Sequence, residues 1–325
     1  GSEMCIRDRL KVITDGEFRR SYWHLDFMWG LQGIERRASR EGYQFHDEET
    51  TADTAVVTGP VSGENHPFVE HFKFVNALSD ENHIARQTIP APIQTFAEVT
   101  LDRCDGQTEI LRAVYPTDEA LADAIAAAYR QVIADLYKAG CRNIQFDDCT
   151  WGMYCDTTFA AQIGLKPDDI QKICELGVRL NNAAIEDQPD DLAINTHVCR
   201  GNYHSTYAFE GSYDPIAPYL FAKENARAFY LEFDTPRAGG FESLAHIADG
   251  KYVVLGLVTS KLPGLEDKET VKARIAEASK YVPLDHLCLS PQCGFASCEI
   301  GNKLTEEEQW AKIALVQEIA KEVWG

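Results

Sequence analysis

No stretch of this sequence is apolar for long enough to cross a bilayer, and no segment has the basic, apolar, small-residue order of a secretion signal. A glycine-rich phosphate loop is also missing, which weakens the case for a doubly wound nucleotide-binding sheet. There is no internal repeat, no low-complexity run and no Pro/Gly-rich linker, so a single domain over residues 10–325 is expected. Positive charge is scarce: 31 Lys and Arg stand against 51 Asp and Glu, a net charge of −20. Such a surface repels phosphate backbones and anionic membranes, so neither nucleic acid nor a membrane is an expected partner.

Cysteine is present but not as a disulfide framework. Ten cysteines are spread irregularly over 325 residues, which reads as a reducing cytoplasm. Most of the thiols are expected to be small buried hydrophobes, with two left over as metal ligands. Gly1-Ser2 reads as a tag remnant and Glu3 to Arg9 as non-native leader, so residues 1–9 are set apart from the fold.

From there on, short β-rich runs alternate with helical stretches, the pattern of parallel strands joined by crossover helices. Strands are expected at Lys11–Thr14, Ala55–Thr58, Arg86–Ile89, Asn143–Phe146, Ala193–Thr196, Ala228–Leu231, Tyr252–Leu257 and Leu287–Leu289. A helix is expected between Pro116 and Gly140, opening on Thr117-Asp118-Glu119 and burying Leu121, Ile125, Tyr129, Val132 and Leu136. The last helix should be capped by Thr305 with Glu308, and should bury Trp310, Ile313, Leu315, Val316, Ile319 and Val323.

Several runs finish in reactive side chains: Asp15-Gly16-Glu17, Asp147-Asp148, His197-Val198-Cys199, Glu232 and Cys293. In a barrel of parallel strands all the strand C-termini meet at one mouth, where catalysis sits. His197 and Cys199 are two apart at a strand end and so point the same way, and both residue types suit zinc. Alone, that motif is weak. Glu232 reads equally as a partner for Arg237, and Cys293 as a buried thiol beside a turn. Taken together, the four make a tetrahedral donor set.

With these motifs in place, the chain resembles the cobalamin-independent methionine synthases, specifically their C-terminal catalytic barrel and their shorter single-barrel bacterial members. The resemblance rests on Asp15-Gly16-Glu17-Phe18-Arg19-Arg20, Ile144-Gln145-Phe146-Asp147-Asp148, Thr196-His197-Val198-Cys199, Leu231-Glu232 and Ser290-Pro291-Gln292-Cys293-Gly294, in the family's order. Trp23-His24-Leu25-Asp26-Phe27 and Ser62-Gly63-Glu64-Asn65-His66-Pro67-Phe68 add to it. It implies a TIM (β/α)8-type barrel, with Ala55–Thr58 in an extra hairpin. It also implies that the first barrel strand is lost to N-terminal truncation, leaving edges that a neighbour must cover, with a homodimer, a strand swap or weakened activity as the consequences open.

The resemblance further implies a methyltransferase of the 5-methyltetrahydropteroyltriglutamate–homocysteine type. Zn2+ would be held by His197, Cys199, Glu232 and Cys293, and a homocysteine-like thiol would be bound as a zinc thiolate and methylated. Glu17 and Asp147 would bind the amino group of that thiol. Asp148 and Trp151 are further substrate-binding candidates, the first reading equally as a helix N-cap and the second as core. Trp23 and Trp29 read as core, and His66 as a hydrogen-bonded loop histidine. Cys149, Cys155 and Cys298 are expected to be bystanders.

One departure stands out. Where the family has Asp-Ile-His, this chain runs Thr259-Ser260-Lys261, so Lys261 is the catalytic proton-donor candidate, against an ordinary loop lysine. The methyl donor stays open among methyl-folate, a corrinoid protein and a sulfonium. Another zinc-dependent alkyl-thiol transferase or C–S lyase, of the epoxyalkane–coenzyme M transferase type, or a truncated, inactive thiol- or metal-binding homologue, are the alternatives.

Overall fold

The computed structural model describes residues 11–297 and 299–325. The expected leader at 1–9 and Cys298 therefore lie outside the described residues. No helix among those described is long and apolar enough to cross a membrane. The chain forms two compact units, each assembled from separate segments.

The first unit holds residues 11–43, 50–147 and 179–195. Its parallel pairs are Val12–Ile13 with Ile84–Ala85, and Gln87–Pro90 with Asn143–Asp147. The run expected at Ala55–Thr58 lies within a longer strand, Asp53–Ser62, antiparallel to Gln32–Ala38. That pair stands as a two-stranded sheet of its own, as the extra hairpin should.

The helix Asp118–Lys138 begins where the sequence places it, the Thr117 side chain accepting a hydrogen bond from Ala120 N at 3.2 Å. It stops at Gly140, whose φ of +100° is a conformation that glycine adopts without steric cost. Leu121, Ile125, Tyr129, Val132 and Leu136 are all fully buried. Each such side chain contributes roughly 1.5–3 kcal/mol when removed from water. Tyr129 packs edge-on to Phe146 and lies against Phe27, which in turn meets Phe68.

The second unit holds residues 44–49, 148–178 and 196–325. Its strands Thr196–Val198 (the end of Ala193–Val198), Ala228–Glu232, Tyr252–Val258 and Leu287–Pro291 pair in parallel in that order. Tyr252–Val258 is buried along all but its first residue, as a strand covered on both faces must be. Gly256 permits its tight packing: a Cβ there would lie 2.6 Å from the Leu231 carbonyl and 2.7 Å from Gln292 Cα.

The last helix, Glu306–Trp324, carries the expected capping box between Thr305 and Glu308. Its buried side differs from the expectation. Ile313 and Ile319 are buried, whereas Trp310, Leu315, Val316 and Val323 are only half-covered. Lys312 is fully buried among them, its Nζ held by the Gly264 carbonyl and the Glu266 carboxylate. A paired cation thus fills a place that apolar periodicity assigned to hydrophobes.

Candidate active site

Two polar clusters form, one in each unit. In the first, the chain turns sharply after Val12–Ile13, and both Gly16 and Glu17 take positive φ, +63° and +59°. For a glutamate that conformation is strained, by an amount on the order of 1 kcal/mol. Glu17 is held in place by its neighbours: Arg20 Nη1 donates to Oε1 at 3.1 Å and Thr88 Oγ1 donates to the same atom at 3.0 Å. Arg20, itself buried, also binds the Thr88 carbonyl at 3.1 Å and contacts Asp15 at 3.5 Å.

Burial, aided by the nearby charges of Asp147 and Asp15, raises the Glu17 carboxyl from 4.5 to about 7, with Arg20 and Thr88 opposing. Asp147 accepts a hydrogen bond from Gln145 Nε2 at 2.8 Å. Two carboxylates close enough to raise one another's protonation are a chemistry suited to a cationic group.

The second cluster lies at the C-terminal ends of the parallel strands of the second unit. His197 is the penultimate residue of its strand and Cys199 follows directly, so alternation turns both side chains the same way. Cys293 follows Leu287–Pro291 and brings its Sγ to 3.4 Å from His197 Nε2. The ligand atoms of His197, Cys199 and Cys293 lie within 4.8 Å of one another, the metal-competent group found among the described residues. Cys199 is buried, and hydrogen bonding with Cys149, Cys293 and His197 pulls its thiol well below the ordinary range against the effect of burial. Two sulfurs and an imidazole nitrogen, one sulfur already biased toward thiolate, are donors that suit zinc.

Glu232 ends the neighbouring strand, fully buried, but outside that three-residue group. Its Oε2 accepts the Arg200 backbone N–H at 2.9 Å, and its Oε1 forms an ion pair with Arg237. The pairing with Arg237 is the reading the sequence had left open. Tyr213 ties the strands of His197 and Glu232 together: its hydroxyl donates to the Val198 carbonyl at 2.6 Å and accepts from Glu232 N at 2.8 Å. The Arg200 guanidinium lies 4.0 Å over the Tyr213 ring and binds the Gly211 carbonyl. Neither Tyr213 nor Arg200 carries a sequence signal, because both act through backbone groups that only the fold brings near.

Cys149, expected to be a bystander, is a direct neighbour: its Sγ lies 3.3 Å from that of Cys199. It opens the short helix Thr150–Cys155, and no spacing rule connects that helix to the His197 strand. Cys155 is buried and its thiol is raised to about 11 by that burial, as an inert core thiol would be. Asp148 accepts from Trp151 Nε1 at 2.7 Å, with its own N–H on the His197 carbonyl. The cap position of the helix that follows is taken by Cys149 instead. Trp151 is 1% exposed and belongs to the apolar core of the second unit.

Trp23 lies against the His24 ring and Trp29 donates to the Thr54 carbonyl. His66 is buried, with Nδ1 accepting from Phe68 N and Nε2 on the Phe27 carbonyl, and burial lowers it to about 4. Lys261 follows Tyr252–Val258 and is buried, with no hydrogen-bond partner for its Nζ among the described residues.

Among known proteins, the family described as the cobalamin-independent synthase catalytic domain matches residues 9–322. The uncharacterized protein YxjG of Bacillus subtilis is 42% identical over 319 residues, spanning 97% of this chain and 81% of its own length. A 5-methyltetrahydropteroyltriglutamate–homocysteine methyltransferase of Herpetosiphon aurantiacus is 25% identical over 178 residues, 54% of this chain but only 21% of that longer protein. Of the solved structures, a putative vitamin-B12 independent methionine synthase from Listeria monocytogenes is 36% identical with a TM-score of 0.70, over 97% of this chain and 82% of that one. A B12-independent methionine synthase from a Shewanella species has a TM-score of 0.72 at 22% identity, over 99% and 87%, a likeness of fold alone. The fold class is accordingly α/β, of the TIM-barrel type of the methionine synthase domains, as expected.

Proposed function

Because the chain belongs to the cobalamin-independent synthase catalytic-domain family, we propose that it is a zinc-dependent methyltransferase that alkylates an amino-acid thiol of the homocysteine kind. The observation that carries the reading is the convergence of His197, Cys199 and Cys293, from two strand ends nearly a hundred residues apart, into one group of soft donors. Those three side chains would hold the metal, with Glu232 as the fourth ligand. When bound, zinc supplies a Lewis acid that favours the thiolate over the thiol at neutral pH.

The remaining roles fall to the chain's own residues. Glu17 and Asp147 receive the substrate ammonium, Arg20 and Thr88 hold Glu17 in its strained conformation, and Lys261 supplies a positive charge. Arg237 and the Arg200 N–H orient the Glu232 carboxylate. Tyr213 fixes the backbone on either side of the ligands. Such work belongs to the cytoplasm, where thiols stay reduced.

Protein purified without added metal is expected to contain about one zinc per chain, and a Cys293→Ala variant to have lost it or to hold it at least tenfold more weakly. Elemental analysis with chelator competition measures both. A folded wild-type chain free of zinc, and unable to take it up, would sink the proposal. Given zinc, assaying homocysteine with each of the three donor classes decides which methyl source is used.

A further inference from the structure

Around the strand ends of the second unit, two buried donors stand without acceptors. Lys261 is 9% exposed and Gln292 is 1% exposed, yet neither Lys261 Nζ nor Gln292 Nε2 has a hydrogen-bond partner among the described residues. Both sit at the same end of adjacent strands. Tyr252–Val258 and Leu287–Pro291 run parallel, and Gln292 N closes the pair by donating to the Val258 carbonyl at 2.8 Å.

Ser260, the residue before Lys261, donates its hydroxyl to Gln292 Oε1 at 3.3 Å. With the amide oxygen on that hydroxyl, the NH2 is the end without an acceptor among the described residues. Ser260 is itself held from behind, its carbonyl taking Asn302 Nδ2 at 3.0 Å. Gln292 is bonded directly to Cys293, one of the three grouped donors.

An ammonium withdrawn from water costs several kcal/mol unless an anion or hydrogen bonds replace its hydration. Another buried lysine of the same unit shows what a satisfied one looks like: Lys312 has both the Gly264 carbonyl and the Glu266 carboxylate. Lys261 has no such company. Its backbone N–H is satisfied by Thr259 Oγ1, and the nearby Glu266 carboxylate is committed to Lys312 and to Thr259 N.

We propose that Lys261 and Gln292 form an oxyanion-binding subsite beside Cys293, which takes a carboxylate of one of the two substrates. Lys261 then acts as a fixed cation that reads the substrate's charge, and the leaving group obtains its proton elsewhere. The subsite deepens the proposed alkyl transfer and rests on it only for the identity of the ligand. Binding of a carboxylate can be tested with no metal and no thiol present.

The probe for the acceptor side is 2-aminobutyrate, which keeps the amino and carboxyl groups of homocysteine and lacks its sulfur. The probe for the donor side is p-aminobenzoylglutamate. Each is titrated calorimetrically into chelator-treated protein alongside the analogue with every carboxylate amidated (the amide of the first, the diamide of the second), which has lost the negative charge. At least one acid is expected to bind tenfold or more tighter than its amide, and Lys261→Met to abolish that difference while leaving the amide's affinity unchanged. Whichever probe shows the effect names the substrate that carries the carboxylate. Thermal unfolding separates function from architecture: removing an unpaired buried charge should leave Lys261→Met as stable as the wild type or more so. Equal affinities of acid and amide for the wild type, or a preference that survives in Lys261→Met, would overturn the subsite. Either result would leave the zinc measurement untouched.

Discussion

The chemistry of Glu17 depends strongly on its surroundings. Burial and the charges of Asp147 and Asp15 raise its carboxyl from 4.5 to about 7, against Arg20 and Thr88. A raised carboxyl favours the protonated form in the fold. Its contribution to stability is therefore complete below about 4.5 and is lost as pH rises through about 7. Ammonium binding has the opposite sign, since it needs the carboxylate. Affinity for an amino-acid thiol is expected to rise about tenfold per pH unit up to 7 and then level off, and Glu17→Gln to flatten that rise. Titration calorimetry between pH 5.5 and 8.5 tests this, and a wild-type affinity independent of pH would remove Glu17 from the ammonium site.

Tyr213 offers a second test at the same scale. Phe in its place leaves the Val198 carbonyl and the Glu232 N–H without a buried partner, at a cost of about 1–3 kcal/mol. Tyr213→Phe is expected to weaken zinc about tenfold in chelator competition. An unchanged zinc affinity would reduce Tyr213 to a stability element.

At the scale of elements, the short helix Thr150–Cys155 packs tightly against the backbone of Cys199. A Cβ on Gly152 would run into the Cys199 carbonyl, so the helix sits where it does only because glycine is there. Gly152→Ala is expected to cost about 1–3 kcal/mol in urea unfolding. Because the displaced backbone carries Cys199, one of the proposed ligands, it should also weaken zinc. A variant that is destabilised yet binds zinc normally would place the strain in the helix rather than in the ligand strand.

Element positions were largely legible in the sequence. Every expected strand is present to within a few residues, and the helix Asp118–Lys138 opens on its predicted cap. Periodicity and capping are local, and local chemistry settles them. The last helix was read less well, because its buried side includes Lys312, whose charge is satisfied by Glu266, forty-six residues earlier in the chain. A pattern of apolar spacing carries no record of such a partner.

For the whole molecule, the proposed metal would be linked to the fold. A ligand that binds only the native state stabilises it by RT ln(1 + [L]/Kd), about 2.7 kcal/mol at a hundred times Kd. Chelation is expected to lower the unfolding midpoint by on the order of 5 °C. It should also speed amide exchange in Ala228–Glu232 and Leu287–Pro291 while sparing Gln87–Pro90 in the first unit. Exchange unaltered by chelation would mean that the fold does not depend on the metal.

The sequence by itself determined the fold class, since alternating strands and helices with polar residues at the strand ends leave few architectures open. It also determined which side chains are chemically able to hold a metal. Only the tertiary structure decided which of them meet: that Cys149 lies against Cys199, that Arg237 engages Glu232, and that Lys261 is buried without an acceptor among the described residues. The reason is physical. Backbone periodicity is written in neighbouring residues, whereas the partner of a buried polar group is chosen by strand register and long-range packing, which no local pattern encodes.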